Sequence, residues 1–326
     1  MGNDKPHVHH LATGGTIANP VDIEGYLPGE KLIEEIPEIA DVADITVTDI
    51  SSVGSSTISY DIWFDLHDKI HSLAESEDPP DGIVITQGSN SIEETAYFLN
   101  LTLDTEIPVT LAAAQRNHRL IGNDGDRNLL DAIKVAASEE ARGRGALVCI
   151  NDEIHPAREV SKMVSGRPDA WTSGNLGVLG LIDKRDNMYF YRETEQRTYP
   201  NTEFDISDVS PDEFPHIEII YSHIGSGPEL IEKASEHADG LVIAGFPTGT
   251  PKSSKEGRSQ SDVCEELLDE GYPIVMSHRG FEGYPYPGDT FIWGNTLDPQ
   301  HAAILLALGL LKTDDYDELN RMFEEY

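Results

Sequence analysis

Short apolar runs alternate with longer stretches of helical apolar spacing along most of this chain. Parallel strands that are buried on both faces have continuous apolar runs, and the helices that join them follow the 3.6-residue period. The alternation therefore predicts an α/β fold with a mostly parallel sheet and flanking helices. The strands predicted over residues 1–200 are Val8–Ala12, Ile45–Thr48, Gly82–Thr86, Val109–Ala113 and Ala146–Ile150. The helices predicted there are Ile62–Ala74, Ser91–Leu103 and Asn128–Ser138.

The pattern changes towards the end of this first part of the chain. Two apolar runs within Gly177–Tyr191 flank polar residues 184–187, which predicts a hairpin. The acidic, proline-containing stretch 201–215 predicts a linker between a larger α/β domain, 1–200, and a smaller one, 216–326. The smaller domain is expected to hold a second parallel sheet, with strands His216–Ser222, Gly240–Ala244 and Ile274–Ser277. Its predicted helices are Glu229–Glu236, Asp262–Asp269, Pro299–Leu311 and Tyr316–Tyr326.

The charge balance narrows the possible functions. The chain has 23 Lys and Arg residues against 59 Asp and Glu residues, a formal net charge of −36. So negative a surface repels nucleic acid and anionic membranes, which argues against both as partners. Because the acids are spread along the chain, we expect a halophile's surface, whose self-repulsion is screened by concentrated salt. The alternative is an acidic surface that serves only to keep the protein soluble.

Composition and the N-terminal residues predict a cytoplasmic protein. Hydrophobic residues make up 38% of the chain, but no apolar run approaches the roughly 18 residues of a membrane span. Met1 to His10 lacks the apolar segment of a secretory signal. The two cysteines, Cys149 and Cys264, have no neighbour at metal-ligand spacing, so we expect reduced thiols and no disulfide framework.

Glycine-rich or polar segments follow several predicted strands, at the sheet edge where α/β proteins bind ligands. They are Thr13–Ala18, Gln87–Ser91 and Asn151–Asp152, the last with Lys162 a short way on. Gly14 and Gly15 allow a sharp turn with exposed N–H groups that suit an oxyanion, although a tight turn alone would also use them. The segment lacks the G-x-G-x-x-G and Gly-Lys-Ser/Thr patterns of phosphate-binding loops. Ser91 and Glu94 also fit a capping box for the next helix.

Together, four segments resemble the signature regions of the bacterial-type (type I/II) L-asparaginase family. They are Ala12-Thr13-Gly14-Gly15-Thr16-Ile17-Ala18, Ile92-Glu93-Glu94-Thr95-Ala96-Tyr97-Phe98-Leu99, Ile150-Asn151-Asp152 with Lys162, and Gly294-Asn295-Thr296-Leu297-Asp298-Pro299-Gln300. They occur in the family's order and spacing and span nearly the whole chain. The resemblance implies two α/β domains and an amidohydrolase that converts L-asparagine to L-aspartate and ammonia. It also implies no cofactor or metal, and a homodimer or homotetramer.

The resemblance assigns a role to each matching residue. Thr16 corresponds to the catalytic threonine that attacks the amide carbonyl, and Tyr26 lies on the mobile loop, here Asn19–Lys31, that closes over the site. Ser89 corresponds to the second catalytic threonine and Lys162 to the lysine of the triad. The substrate-binding matches are Ser55 for the α-carboxylate, Asn90 for the α-ammonium and the carbonyl of Ala114 for the amide nitrogen.

The chemistry of these residue types fits the implied reaction. A threonine hydroxyl is a weak nucleophile at its ordinary pKa and needs a positioned proton acceptor. Lys162, if desolvated, would have a depressed pKa and could accept the proton through Ser89. Backbone N–H groups near Gly15 and Gly88 are expected to stabilise the developing oxyanion, at about 3–4 kcal/mol per donor. Without the resemblance, Lys162 would read as a solvated surface lysine.

Two departures from the family pattern bear on the substrate. Active relatives carry Thr-Asp where this chain has Ser89-Asn90. Serine keeps the hydroxyl, but asparagine removes the negative charge that pairs with an α-ammonium. The preferred amide is therefore expected either to lack a free α-amino group or to be asparagine bound weakly. Phe246–Thr250 stands where many relatives have a glycine- and asparagine-rich loop that reaches a neighbouring subunit, so intersubunit contacts do not transfer.

Other interpretations predict different observations. His7, His9 and His10 could mark a metal-dependent amidohydrolase, but they begin a strand and alternate between faces. His67 and His71 have the spacing of a metal clip on a helix, but two ordinary helix-surface histidines are the favoured interpretation. A non-catalytic protein that binds a small ligand is a further hypothesis, supported only by Asn90. The amidase component of a tRNA-dependent amidotransferase has this fold, but the acidic surface disfavours RNA and no extra N-terminal domain is expected. Some relatives assign a supporting acidic role to a glutamate in the region of Glu282, and the sequence leaves open whether Glu282 has that role.

Overall fold

The computed structural model describes residues 5–280 and 290–326, so Glu282 lies outside the described residues. The chain divides into two compact units, the first ending at Ser207 and the second beginning at Asp208. Each unit has an α/β fold with its own sheet, which confirms the predicted fold class. The domain bounds and the linker 201–215 remain predictions.

The first unit contains a large mixed sheet. The strands of this unit are β1 (His7–Gly14), β2 (Asp44–Val53), β3 (Gly82–Thr86), β4 (Val109–Ala112), β5 (Leu147–Ile150), β6 (Glu153–Pro156), β7 (Ser161–Lys162), β8 (Trp171–Thr172), β9 (Gly180–Ile182) and β10 (Met188–Phe190). Eight of them form one sheet in the order β10-β9-β6-β5-β4-β3-β1-β2, and β7 pairs with β8. The neighbouring strands β5, β4, β3, β1 and β2 are parallel to one another. The pairs β5–β6, β6–β9 and β9–β10 are antiparallel. The predicted hairpin is confirmed as β9 and β10.

The helices of this unit cover the sheet. They are α1 (Gly29–Glu34), α2 (Ile39–Val42), α3 (Tyr60–Ala74), α4 (Ile92–Thr102) and α5 (Gly125–Ala136). On α5, Leu129 and Ile133 are fully buried in a cluster that includes Val84 of β3 and Cys149 of β5. Helix α5 begins at Gly125, before the predicted start at Asn128. The predicted start was late because the apolar spacing of this helix begins only at Leu129.

A tight turn reverses the chain after the parallel strands. Asn151 and Asp152 have φ values of 57° and 64°. Two successive residues with positive φ form the turn that joins two antiparallel strands most directly, and Asn and Asp tolerate this conformation. Strand β6 therefore returns beside β5, a pairing that the sequence analysis did not predict.

The histidines at the start of β1 bind neighbouring threonines. The imidazole of His9 lies 2.7 Å from the Oγ1 of Thr46, and Nε2 of His10 lies 2.8 Å from the Oγ1 of Thr86. Burial lowers the pKa of His9 to about 4 and that of His10 to about 3. Among the described residues no group of three or more His, Cys, Asp or Glu side chains is arranged to hold a metal ion.

These two histidines make stability depend on pH. The folded-state pKa of each lies below its ordinary value of 6.5, so below pH 6.5 the unfolded chain binds more protons. The free energy of unfolding should therefore fall as pH drops from 6.5 towards 4, by up to about 1.4 kcal/mol per pH unit for each group. Asp131, whose pKa burial raises to about 6, opposes this trend. Urea unfolding at pH 5.0–7.0 gives the free energy of unfolding at each pH. Plotted against pH, this free energy should change less steeply for His10→Gln than for wild type. Equal slopes would contradict the prediction, whatever the absolute stabilities.

The second unit has a smaller parallel sheet. Its strands are β11 (Ile217–Tyr221), β12 (Gly240–Gly245), β13 (Ile274–His278) and β14 (Ile292–Trp293), in that order in the sheet. Its helices are α6 (Glu229–Ser235), α7 (Gln260–Asp269), α8 (Pro299–Leu310) and α9 (Tyr316–Glu325). The carboxylate of Asp298, in the last family segment, caps α8 by accepting from the N–H of His301 at 3.1 Å. In the described part of the chain no helix has the length and apolar composition to cross a membrane.

Candidate active site

The carboxyl ends of four adjacent parallel strands, β2, β1, β3 and β4, meet at one edge of the larger sheet. Strand β1 lies between β2 and β3, so the chain runs from β1 to β2 on one side and then crosses to β3 on the other. Open α/β sheets bind ligands at such an edge. Thr16, Ser55, Ser89 and Ala114 each follow one of these strands.

Two glycines bring the ends of β1 and β3 into backbone contact. Gly15 has a φ of 81°, in the left-handed region that favours glycine. A Cβ on Gly15 would overlap the backbone of Gly88, and a Cβ on Gly88 would lie 2.7 Å from the Cβ of Ser55. Gly15, Gly88 and Ser55 are therefore packed together.

The backbone N–H of Gly15 itself is already hydrogen-bonded within the fold. Its N–H donates to the carbonyl of Val53 at 2.9 Å, so it is not available to an oxyanion. The N–H groups of Thr16 and Gly88 donate to no acceptor among residues 5–280 and 290–326. The glycine shapes the turn, and the next residue supplies the exposed donor.

Thr16 is half-buried at the start of a short 3-10 turn, Thr16–Ala18. Its hydroxyl makes no hydrogen bond to a described residue, so no proton acceptor is pre-positioned on it. Catalytic hydrogen bonds are often completed only when substrate is bound, so this geometry is compatible with a nucleophile.

Ser89, Asn90 and Lys162 form one hydrogen-bonded group. Nζ of Lys162 lies 2.7 Å from Oγ of Ser89 and 2.8 Å from Oδ1 of Asn90. Ser89 is buried, whereas Asn90 is exposed. The short strand β7 positions the lysine, because its pairing with β8 sets Lys162 opposite Trp171.

The surroundings of Lys162 favour loss of its proton. Burial desolvates the ammonium group and lowers its pKa, and the carboxylate of Glu93 partly opposes that shift. That carboxylate accepts from the backbone N–H of Lys162, so it also fixes the strand. Nζ also lies 5.6 Å from the ring centroid of Trp171, a cation–π distance that favours the charged form and so acts against the effect of burial.

Ala114 is held close to the turn after β1. A Cβ on Gly125 would lie 2.9 Å from the side chain of Ile17 and 3.1 Å from that of Ala114. Asn128 fixes the backbone just before Ala114, because its Nδ2 donates to the carbonyl of Ala113 at 2.8 Å. Within the described residues, the carbonyl of Ala114 accepts no hydrogen bond.

The loop that carries Tyr26 is shorter than predicted. Helix α1 begins at Gly29, which is buried, so the loop covers 19–28 and not Asn19–Lys31. The N–H of Leu27 donates to the carbonyl of Ala18 at 2.7 Å, which closes the loop at its base. A Cβ on Gly54 would lie 3.2 Å from the hydroxyl of Tyr26, so this ring extends towards Ser55.

Residues after β4 hold the same loop from outside. The guanidinium of Arg119 lies 2.8 Å from the carboxylate of Asp22 and also binds Glu35, at the end of α1. Its hydrogen bond lowers the pKa of Glu35 to about 2. The N–H of His118 donates to the carbonyl of Asn19 at 3.0 Å. These contacts were not predicted from the sequence.

Comparison with known protein families gives a direct match to both units. Residues 7–196 match the model "Asparaginase, N-terminal", and residues 216–323 match "Glutaminase/Asparaginase C-terminal domain". The chain belongs to the asparaginase family. The L-asparaginase 2 of Bacillus subtilis is 36% identical over 99% of this asparaginase-family chain and 87% of its own length. A glutaminase-asparaginase of Pseudomonas fluorescens biotype A is 35% identical over 97% of this chain and 89% of its own.

A solved structure supports the same conclusion. The crystal structure of a probable cytoplasmic L-asparaginase from Campylobacter jejuni superimposes with a TM-score of 0.90. It is 36% identical and covers 99% of this chain and 100% of its own. The fold of this asparaginase-family chain therefore extends over both units.

Gln115 is a site residue that the sequence analysis missed. Its Nε2 donates to Oγ of Ser89 at 3.0 Å, and its Oε1 accepts from the N–H of Gly166 at 3.3 Å. The carboxylate of Asp124 fixes its backbone by accepting from its N–H at 2.9 Å. An amide nitrogen and an ammonium group can only donate hydrogen bonds. Gln115 and Lys162 therefore both donate to the oxygen of Ser89, and the hydroxyl proton of Ser89 points towards neither of them. A polar residue directly after Ala114 was the only sequence signal.

Ser91 has a different role from the predicted capping box. Helix α4 begins after Ser91, but the serine side chain makes no capping hydrogen bond. Its hydroxyl donates instead to the carbonyl of Ser55 at 2.9 Å. The serine ties the β2 loop to the β3 loop at the edge where the candidate site lies.

Replacing Gln115 should alter turnover more than binding. Gln115→Leu removes one hydrogen bond to Ser89, so kcat for amide hydrolysis should fall roughly 3- to 10-fold with KM little changed. Gln115→Glu should raise the pKa of Lys162 and move the acidic limb of the pH–kcat profile to higher pH. Ammonia release across pH 5–10 measures both effects. Arg116→Leu, at the exposed neighbouring position, is the control, and a matching loss in that variant would rule out a specific role for Gln115.

Proposed function

We propose that this protein hydrolyses the side-chain amide of L-asparagine to give L-aspartate and ammonia, with Thr16 as nucleophile. The hydrogen-bonded group of Ser89, Asn90 and Lys162 carries this proposal, because it couples a hydroxyl to a lysine whose pKa is lowered. Membership of the asparaginase family and the names of the relatives support the same reaction. The residues involved lie within the first unit, and the proposed active-site domain is 1–200.

The first step is acyl transfer. The hydroxyl oxygen of Thr16 attacks the amide carbonyl, and its proton passes through Ser89 to the neutral amine of Lys162. The N–H groups of Thr16 and Gly88 stabilise the oxyanion, each worth about 3–4 kcal/mol. The C–N bond then breaks, and Lys162 returns the proton to the departing ammonia near the carbonyl of Ala114.

The second step releases the product. Water attacks the ester carbonyl of the acylated Thr16, and the same lysine accepts the water proton. The threonine oxygen leaves and recovers a proton, which regenerates the free hydroxyl. Tyr26, on the loop 19–28, covers the site during both steps, and Ser55 holds the α-carboxylate.

Ammonia release by the purified protein in concentrated KCl tests the proposal. L-asparagine, D-asparagine, L-glutamine and succinamate should be compared, with L-glutamine included because one relative is named a glutaminase-asparaginase. Release from L-asparagine is the expected result. No release from any of the four above the level of Thr16→Ala would contradict hydrolysis and favour the ligand-binding alternative.

We also propose a cytoplasmic, salt-adapted homodimer or homotetramer that acts on a small amide and contacts neither nucleic acid nor membrane. The net charge of −36 supports salt adaptation and argues against nucleic acid. One similar structure is named a probable cytoplasmic enzyme, which supports the location. Light scattering in 0.2 and 3 M KCl would give the subunit number, and a monomer at both would contradict the assembly.

Salt should stabilise the folded protein. Raising KCl from about 0.1 to about 1 M shortens the screening length from about 10 to about 3 Å, which weakens repulsion between surface carboxylates. We expect Tm to rise by at least about 5 °C over this range, equivalent to roughly 3 kcal/mol for a chain of 326 residues. Thermal unfolding followed by circular dichroism measures this change. An unchanged or falling Tm would contradict salt adaptation.

A further inference from the structure

A cavity of about 520 Å³ adjoins the candidate site on the side of Ser55 and Asn90. This volume lies within the range of small-molecule sites in proteins. The cavity lining combines serines with an apolar wall: Ser55, Ser56, Ile58, Ser59, Tyr60, Trp63, Asn90, Ser91 and Glu94. Ser55 and Asn90 are the residues proposed to bind the groups on the α-carbon, so a larger substituent there would extend into this space.

The apolar wall is rigid. Trp63 is buried, and its Nε1 donates to the Oγ1 of Thr95 at 2.8 Å, so the indole is fixed on α3. The ring of Tyr60 lies 5.5 Å from that of Trp63, centroid to centroid. The indole of Trp63 is therefore a preformed surface for an apolar group, which lowers the entropic cost of binding, and the exposed ring of Tyr60 lies beside it.

Asn90 lines this cavity, and its side-chain amide carries one donor nitrogen and one acceptor oxygen. An ammonium group only donates, so the Oδ1 of Asn90 faces Nζ of Lys162 and its Nδ2 faces away. Nδ2 donates to no residue within 5–280 or 290–326. A substrate atom that meets Nδ2 must be an acceptor, such as a carbonyl oxygen. An α-ammonium would face the Nδ2 donor of Asn90 and lie near the positive charge of Lys162. Asparagine at position 90 provides no carboxylate to pair with it.

We propose that this cavity is a subsite for an acyl group on the α-nitrogen, and that the preferred substrates are N-acylated asparagines. The acyl carbonyl accepts from Nδ2 of Asn90, and the acyl chain lies against Trp63 and Tyr60. The α-carboxylate stays at Ser55, and the side-chain amide reaches Thr16. This inference rests on the proposed function, because it concerns the same nucleophile.

Glu94 is a charged residue of the cavity that would favour a free α-ammonium over an acyl group. Its carboxylate also lines the cavity and would attract an α-ammonium. The two possibilities predict opposite substrate preferences, so Glu94→Gln belongs in the test. If Glu94 recognises free asparagine, that variant loses activity on L-asparagine and gains none on the acylated substrate.

Ammonia release from N-acetyl-L-asparagine and L-asparagine, in concentrated KCl, tests the subsite. Wild type should have a higher kcat/KM for N-acetyl-L-asparagine, and Asn90→Asp should reverse the preference. Ser56→Gln fills the cavity from an exposed position and should lower the ratio of the two kcat/KM values by about 10-fold, a difference of about 1.4 kcal/mol. Ser253→Gln, at an exposed serine in the second unit, is the matched control and should keep the wild-type ratio.

The outcomes separate this inference from the proposed function. Wild type that prefers L-asparagine, with a ratio unaffected by Ser56→Gln, would overturn the subsite and leave the hydrolase intact. If neither substrate releases ammonia, the proposed reaction fails, and calorimetry with Thr16→Ala decides the subsite alone. Tighter binding of N-acetyl-L-asparagine than of L-asparagine would then support it, and weaker binding would overturn it.

Discussion

Thr16→Ala should lose nearly all amide hydrolysis, by a factor on the order of 10⁴ or more in kcat. The hydroxyl is proposed to form the covalent bond to the acyl group, and Thr16 is the residue directly after the Gly14-Gly15 turn. The variant should still fold, because Thr16 is half-buried and its side chain makes no hydrogen bond to a described residue. Substrate binding should be largely kept, since the methyl and hydroxyl are small parts of the contact surface.

Three measurements make this prediction specific. Ammonia release gives the loss of turnover, thermal unfolding verifies the fold, and calorimetry with the preferred amide verifies binding. Thr16→Ser keeps the hydroxyl and should retain measurable activity.

Acid quenching of wild type during turnover should reveal a mass increase from one acyl group, which maps to the peptide containing Thr16. An acyl group on the Ser89 peptide instead would show that the nucleophile has been assigned wrongly.

Lys162→Met should cost about 10²–10⁴ in kcat, the usual contribution of a general acid–base group. Methionine has nearly the same length and still packs against Trp171, so the loss would report the amine and not the packing. In wild type the neutral amine is the active form, so the rate should rise with pH until the lysine is deprotonated. Because burial lowers its pKa, this limb should end below the ordinary lysine value of 10.5.

The pH profile distinguishes a base from a structural lysine. Lys162→Arg keeps the charge and the hydrogen bonds to Ser89 and Asn90, but arginine cannot be deprotonated in this pH range. If Lys162 is the base, the arginine variant should be as inactive as the methionine variant. If arginine restores the rate, the residue serves only to hold Ser89 and Asn90 in place.

The alternation of apolar runs was enough to predict the parallel part of the fold. Buried strands such as Gly82–Thr86 are apolar apart from their last residue. Helix α4, which follows this strand, is buried along nearly its whole length, and α5, which follows β4, buries Leu129 and Ile133. The antiparallel strand β6 could not be found in this way, because Glu153–Pro156 contains polar residues and proline. The turn before it did carry a signal, since Asn and Asp in succession favour the positive φ values of a tight hairpin.

The candidate site was predicted by resemblance more than by chemistry. The structure brings Gly15, Gly88 and Ser55 together and joins Ser89 and Asn90 to Lys162, as their common sheet edge leads one to expect. Gln115 escaped prediction because its role depends on the distance between two loops. The use of the Gly15 N–H by Val53 likewise depends on a register between β1 and β2 that no local pattern encodes.

The close approach of Gly15 and Gly88 also limits how this protein can evolve. A side chain at Gly15 would collide with backbone atoms of Gly88, and one at Gly88 would collide with Ser55. Backbone atoms cannot be trimmed by mutation, so no substitution at one glycine compensates for a side chain at the other. The two positions are thus fixed independently of each other, and in a saturation library both should tolerate only glycine while showing no covariation. Changes of substrate preference are therefore expected at positions around them, such as Ser56 and Asn90, and not at the two glycines.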